Sequence, residues 1–357
     1  MNTSTTNKNL NMNNIPHRLL LQWHVTNRCN LRCSHCYQED YAGDELEFQD
    51  LMKVLDQFKA LIRLRRGGKK QVRVPDRITV TGGEPFARKD FIKLLEVFYE
   101  NREIFSFAIL TNGTLLDSVT ARCLRRLAPS YVQVSLEGTQ ETHDKIRGQG
   151  SFEKAVSGLK HLVKENIRTI ISFTAHRANY REFPGVARLG RKLGVSRVWS
   201  DRLVPQGTGL DMKAQMLTPE ETREFFEIMQ TARSQVERRW FNRTEIAMHR
   251  ALQFLVAGGQ PYHCSAGDTL ITVQPNGDLY PCRRMPIYVG NLMQTPLVDL
   301  YYNSKLFQNL RNQQTLSDNC QGCFYSGLCR GGLKCLSYAV TGDPFQKDPG
   351  CWYMEGE

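Results

Sequence analysis

The 357-residue sequence contains no run of about eighteen apolar residues, the length that a bilayer-crossing helix needs. Its opening Asn- and Thr-rich stretch also lacks the apolar core of a secretory signal peptide. Together these absences predict a cytoplasmic chain with no membrane partner. Disulfides are rare in a reducing compartment, so the 11 cysteines read as metal ligands before they read as bridges. A basic cluster, Arg63, Arg65, Arg66, Lys69, Lys70 and Arg73, surrounds Gly67 and Gly68 with no aromatic residue interleaved. That argues against a stacking platform for single-stranded nucleic acid and leaves a solvated loop or a docking patch for an acidic partner. The formal charge of +11 does not by itself imply nucleic acid, because thiolate-bound clusters would offset part of it.

What is present is enough for one large domain with an appendage, or for two domains, at 41% hydrophobic residues. Apolar, strand-like segments recur at residues 19–25, 77–81, 105–110, 131–136, 169–174 and 196–200. Amphipathic helical patterns separate them, at 46–64, 91–99, 115–127, 152–163 and 182–193. Strands alternating with helices predict parallel βα units, closing part of a barrel or forming an open sheet. In either case functional groups are expected at the carboxyl ends of the strands.

The first candidate site follows the first strand. Cys29-x3-Cys33-x2-Cys36 places three thiols close together, one fewer than a four-iron, four-sulfur cluster usually takes. A zinc site completed by His24 or His35 stays open on residue type alone. After the second strand comes Gly82-Gly83-Glu84-Pro85, with two small residues for close approach and a carboxylate that can accept from an ammonium group. Thr111-Asn112-Gly113 ends the third strand. Ser135 and Glu137 end the fourth at alternate positions, which predicts one shared face suited to ribose hydroxyls. Arg147 could hold a carboxylate with its guanidinium fork.

In this order and register the pieces resemble the radical S-adenosylmethionine (radical SAM) superfamily over residues 19 to about 205. The resemblance implies a partial (β/α)6 TIM-like barrel of the α/β class. It implies that Cys29, Cys33 and Cys36 hold a 4Fe-4S cluster whose open iron binds S-adenosylmethionine, and that Gly82 to Pro85 bind its amino group. It gives Ser135 and Glu137 roles near the ribose and methionyl carboxylate, Arg147 a carboxylate contact, and Asn112 a place in the same pocket. His35 replaces the Tyr or Phe often found before the third cysteine, and its imidazole can still stack on adenine.

The last hundred residues hold seven cysteines, Cys264, Cys282, Cys320, Cys323, Cys329, Cys335 and Cys351, more than packing requires. Residues 271–282 read as a hairpin with an Asn-Gly turn. A zinc ribbon remains an alternative from spacing. The pattern resembles the SPASM extension of radical SAM enzymes. That resemblance assigns Cys320, Cys323, Cys329 and Cys351 to an outer auxiliary cluster and Cys264, Cys282 and Cys335 to an inner one, three 4Fe-4S clusters in all. Relatives with a fully ligated inner cluster carry a further cysteine between the first two inner positions. None occurs here, which leaves an open iron for a substrate thiolate, or His263 as ligand. Cys123, among Leu124 and Leu127 on a helical face, reads as core.

The resulting division is a tail at 1–18, a radical SAM barrel at 19–205, a helical bridge at 206–259 and an auxiliary-cluster domain at 260–357. Residues 218–256 read as helical throughout, with Arg238, Arg239 and Arg243 solvated. The leading functional expectation is a maturase that cross-links a ribosomally made precursor peptide. Alternatives are oxidation or decarboxylation of the sulfatase-maturing or haem-precursor type, epimerisation, or a noncatalytic iron-sulfur scaffold. A flavodoxin or ferredoxin is the expected electron donor. About eighteen residues precede the first strand, too few for a leader-recognition domain, so peptide binding would use the barrel or a separate protein.

Overall fold

A computed structural model describes residues 18–67, 75–237, 244–312 and 318–353. Its centre is a parallel run β1 (Leu20–His24), β2 (Asp76–Thr81), β3 (Phe105–Thr111), β4 (Val132–Ser135), β5 (Thr169–Ala175) and β6 (Arg197–Arg202), each paired with the next. These segments are buried along nearly their whole length, β3 most clearly. Burial on both faces is what a parallel sheet covered by helices demands, and near-continuous apolar runs are its sequence sign. The helices are α1 (Phe48–Arg66), α2 (Phe91–Glu100), α3 (Ser118–Leu127), α4 (Gln140–Arg147), α5 (Ser151–Lys164) and α6 (Phe183–Leu193).

Each helix buries one stripe against the sheet. In α1 that stripe is Leu51, Val54, Leu55, Phe58, Leu61 and Ile62, spaced by three and four residues as a core-facing face requires. It stops at Gly67, whose left-handed backbone (φ 53°) lets its N–H reach the Leu64 carbonyl. Helix α3 starts where the Asp117 carboxylate accepts from the Thr120 N–H, a cap that spares an orphan donor. Among the described residues no helix is long and apolar enough to cross a membrane.

Three features depart from the sequence expectation. Residues 218–256 are not helical throughout. Helix α7 spans Pro219–Glu237, and then β7 (Glu245–Ala247) joins β6 in parallel. The strand is held by the Thr244 hydroxyl donating to the Val195 carbonyl, by buried Ile246, and by the Arg197–Glu245 ion pair at 2.7 Å. Secondly, the hairpin assigned to the auxiliary-cluster domain joins the sheet of the barrel. Its first strand, β8 (Leu270–Val273), pairs in parallel with β1, and β9 (Asp278–Tyr280) and β10 (Gly290–Asn291) extend the same sheet antiparallel. The ten strands run β10-β9-β8-β1-β2-β3-β4-β5-β6-β7.

Thirdly, the basic cluster is partly structural. Arg65 is buried, and Arg66 donates to Asp76 at 2.9 Å and to the Ile104 carbonyl at 2.7 Å. Neither side chain is a free docking charge. Lys69, Lys70 and Arg73, like Arg238, Arg239 and Arg243, lie outside the described residues.

Candidate functional site

The loop after β1 carries Cys29, Cys33 and Cys36, and the turn after β2 clamps it. The Gly83 N–H donates to the Thr26 carbonyl and the Glu84 N–H to the Arg28 carbonyl, both at 2.8 Å. A Cβ on Gly82 would overlap the Thr26 carbonyl, and one on Gly83 the Arg28 and Asn27 carbonyls. The two glycines are therefore required by the approach of one backbone to another, and the Gly-Gly turn fixes the cysteine loop in place.

The three thiols line one pocket of about 150 Å³ at the carboxyl ends of the strands, together with His35, Gly82 and Gly83. Asn112, Ser135 and Arg147 complete its predicted wall. Arg147 Nη1 lies 3.7 Å from Cys33 Sγ and Asn112 Nδ2 4.0 Å from Cys29 Sγ. Burial pushes the Cys33 thiol up to about 11, while Arg147 pulls it down. Three unpaired thiols facing one space, with a guanidinium beside them, suit a thiolate-held anionic cluster. Among the described residues no three His, Cys, Asp or Glu side chains converge on the position of a single metal ion.

Glu84, Pro85 and Glu137 stand behind the wall. Glu84 is fully buried, and its oxygens accept from Thr111 Oγ1 at 2.7 Å, the Asn112 N–H at 2.8 Å and the Phe86 N–H at 3.2 Å. Burial raises its pKa to about 7 against those bonds. Glu137 accepts from Arg147 Nη2 at 2.6 Å and from the Thr174 N–H at 2.7 Å, and lies 3.2 Å from His35 Nε2. Burial would raise this carboxyl, yet Arg147 and His35 hold it well below the usual range. Strand β4 ends at Ser135, but the Leu136 N–H still donates to the Ser172 carbonyl at 2.9 Å, and the Glu137 carboxylate meets Arg147, His35 and Thr174, which line the pocket with Ser135. As placed, Glu137 orients Arg147 and His35.

A second cavity, of about 440 Å³, runs inside the barrel. Cys264, Cys282 and Cys335 open onto it, and burial pushes Cys264 and Cys335 up. Cys320, Cys323, Cys329 and Cys351 form another group: Cys329 feels Cys351 and Cys320, and Cys320 feels Cys323. The chain thus brings the ten cysteines together as three, three and four. His263 is exposed, with Arg330, Asp268 and Lys334 as its charged neighbours, and it does not line the cavity. Cys123 is half-buried and packs against the core from α3.

Several residues escaped sequence reading. Leu110, Gln133, Trp199, Arg283 and Arg284 line both cavities, making the two spaces neighbours across a shared wall. Asp201, near the end of β6, accepts from Arg250 Nη2 and pairs with Arg284 Nη2, both at 2.8 Å. Arg202 makes a bidentate pair with Asp348, at 2.8 and 2.6 Å, wholly inside the protein. Asp348 also accepts the Leu333 and Gly350 N–H groups at 2.9 Å, so β6 grips the loops that carry Cys329 and Cys351. The Arg283-Arg284 pair immediately after Cys282 was the available signal. Its significance depends on β8 joining β1, which brings this turn to the barrel.

Comparison with known proteins agrees with this geometry. The profile of the radical SAM superfamily matches residues 23–190, and that of SPASM, an iron-sulfur cluster-binding domain, matches residues 264–324. The chain is 27% identical to the Fe-coproporphyrin III synthase of Methanosarcina barkeri, over 94% of this chain and 88% of that one. It is 26% identical to the AdoMet-dependent heme synthase of the same organism, over 97% and 99%. It is 28% identical to the mycofactocin maturase MftC of Mycobacterium tuberculosis, over 93% and 82%. Among solved structures, Streptococcus suis SuiB bound to its precursor peptide SuiA superposes with a TM-score of 0.71 at 17% identity, over 93% of this chain and 75% of that one. This last is a likeness of fold.

Proposed function

We propose, for a chain that belongs to the radical SAM superfamily and carries a SPASM iron-sulfur domain, that this enzyme oxidises or decarboxylates a carboxylate-bearing substrate of the haem-precursor kind. The observation that carries this reading is the pair Arg283 and Arg284, which line both the cysteine pocket and the barrel cavity. Arg284 is committed to Asp201. Arg283 stacks over Tyr37 at 5.1 Å and forms no ion pair among the described residues, so it can take a carboxylate from a substrate at the junction. The similarity to two synthases of haem-type products supports the same substrate chemistry over the peptide cross-linking expected from sequence.

Cys29, Cys33 and Cys36 would hold one 4Fe-4S cluster, Cys264, Cys282 and Cys335 an inner auxiliary one, and Cys320, Cys323, Cys329 and Cys351 an outer one. Such a cluster with bound S-adenosylmethionine would supply, on one-electron reduction, a 5′-deoxyadenosyl radical for removal of one substrate hydrogen atom. Around that chemistry, Gly82 and Gly83 fix the loop, His35 and Asn112 wall the pocket, Ser135 offers a hydroxyl, and Arg147, held by Glu137, offers positive charge. A carboxylate on Arg283 would be kept beside the site of hydrogen loss. Departure of CO2 and one electron then leaves an alkene, and the inner cysteine group facing the cavity would hold a cluster able to accept that electron. A flavodoxin or ferredoxin would supply the initiating electron.

The test is anaerobic reconstitution and reduction with S-adenosylmethionine and iron coproporphyrin III. Methionine, 5′-deoxyadenosine and a product lacking a carboxyl group are expected. Release of neither methionine nor 5′-deoxyadenosine, with clusters intact, would remove the catalytic reading. A second reading, maturation of a precursor peptide with help from a separate leader-recognition protein, is favoured by the similarity to a mycofactocin maturase. Unchanged porphyrin alongside a neighbouring-gene peptide that loses two hydrogens would select it.

A further inference from the structure

Functional groups were expected at the carboxyl ends of the strands, yet the opposite mouth of the barrel is also chemically distinct. Arg77 in β2 pairs in register with Leu20 of β1, and Arg197 in β6 with Ile170 of β5. Arg18 lies two residues before Leu20, and Arg168 immediately precedes β5. All four line the 440 Å³ cavity at the amino ends of their strands. The volume is within the roughly 300–1,000 Å³ of small-molecule sites. Among the described residues no aspartate or glutamate lines it.

Within this ring Arg197 has a carboxylate partner, Glu245 at 2.7 Å. Among the described residues Arg18, Arg77 and Arg168 form no ion pair, and the Nε and Nη2 of Arg18 are buried without a hydrogen-bond partner. Burial and the neighbouring Arg77 push the Arg18 pKa down, against smaller opposing effects of Tyr131 and Asp76. Guanidinium groups donate and never accept. A peptide would bring main-chain N–H groups as well as carbonyls, and among the described lining residues the donors would find neutral acceptors such as Gln22 and Thr79 but no carboxylate. An acceptor-rich ligand suits the site better. Leu20, Leu110, Ile170 and Trp199 supply apolar surface between the two mouths, and Trp199 is fixed by its Nε1 donating to Gln133 Oε1 at 3.0 Å.

We propose that Arg18, Arg77, Arg168 and Arg197 form an anchoring site for the non-reacting carboxylates of a small polycarboxylate with an apolar body, whose opposite end reaches Arg283 at the cysteine pocket. This deepens the function proposed above and rests on it. The ring sets which end of the substrate is presented, and Arg283 receives the end that reacts.

The test measures binding of coproporphyrin III and of its tetramethyl ester to the reconstituted full chain by porphyrin absorbance and fluorescence. The tetra-acid should bind, and the ester at least about tenfold more weakly. Arg168→Ala and Arg77→Ala should each weaken the tetra-acid about tenfold or more, with Arg168→Lys recovering part of the loss. Iron content and circular dichroism matching wild type exclude misfolding. Equal binding of acid and ester, wild-type binding by both alanine variants, or no binding of the acid to wild type would each overturn the anchoring site. Wild-type binding by the variants with decarboxylation intact would overturn the anchor and leave the proposed reaction standing. Arginine-dependent binding without conversion would overturn the reaction and leave the anchor.

Discussion

The two cysteine-bearing regions are held by different forces. Cys29, Cys33 and Cys36 share one short loop, and neighbouring backbone fixes it through glycines that admit no side chain. The seven C-terminal cysteines come from segments spread over residues 264–351, and a fully buried ion pair between Arg202 and Asp348 ties part of them to the barrel. Local steric fit secures the first region and long-range charge pairing the second. The first should fail through a methyl group and the second through the loss of a charge.

Four experiments would break or sharpen that contrast. The largest effect on activity is expected for Gly83→Ala, whose Cβ meets two carbonyls of the cysteine loop. 5′-Deoxyadenosine release should fall by roughly 100-fold or more, a barrier increase of about 2.7 kcal/mol, while C-terminal iron is retained. Equal loss of iron from both regions would contradict independent anchoring. The largest effect on stability is expected for Asp348→Asn, which leaves Arg202 as a buried unpaired charge at a cost of about 3–5 kcal/mol. Denaturant melts should show this, and Arg202→Met in the same chain should recover much of it.

A smaller effect concerns acid. His24, at the end of β1 with its Nε2 buried and unpartnered, is lowered to about 3 by burial and by Arg283. Its unfolded value of 6.5 lies above the folded one, so the unfolded chain takes up the proton first. Stability from this group is complete above pH 6.5 and is lost as pH falls from there toward about 3. His24→Phe should flatten that slope in melts across the window, and an unchanged slope would assign the acid sensitivity elsewhere. The smallest effect is expected for Cys123→Ala, the cysteine in neither region. It should cost about 1 kcal/mol or less and leave the iron content unchanged.

The same contrast explains what was legible from the sequence. The three-cysteine loop and the alternating strands are local patterns, and six of the observed strands fall where apolar runs predicted them. The C-terminal cysteine groups were reached through resemblance, since spacing alone also suited zinc. Strand β7 has three residues, too few for a periodic signal. The register of β8 against β1 joins Leu270 to Leu20, a pairing that neither segment announces. The partners of Glu137, Arg147 and His35, come from other segments of the chain, so no local pattern announced them. The arginine ring was missed because one arginine near the start of each of four strands looks like scattered surface charge until the strands stand side by side.

The pairing of β1 with β8 also bears on how the chain is made. Synthesis at about 5–20 residues per second puts roughly 12–50 s between the emergence of Leu20 and that of Leu270, its sheet partner. Throughout that interval one edge of β1 has no neighbour. An unpaired strand edge is a template for unwanted association, so the nascent chain should be most prone to aggregation just before residue 270 appears. Ribosome-bound chains ending before β8 are then natural clients for chaperones, and chains ending after it should be released from that dependence.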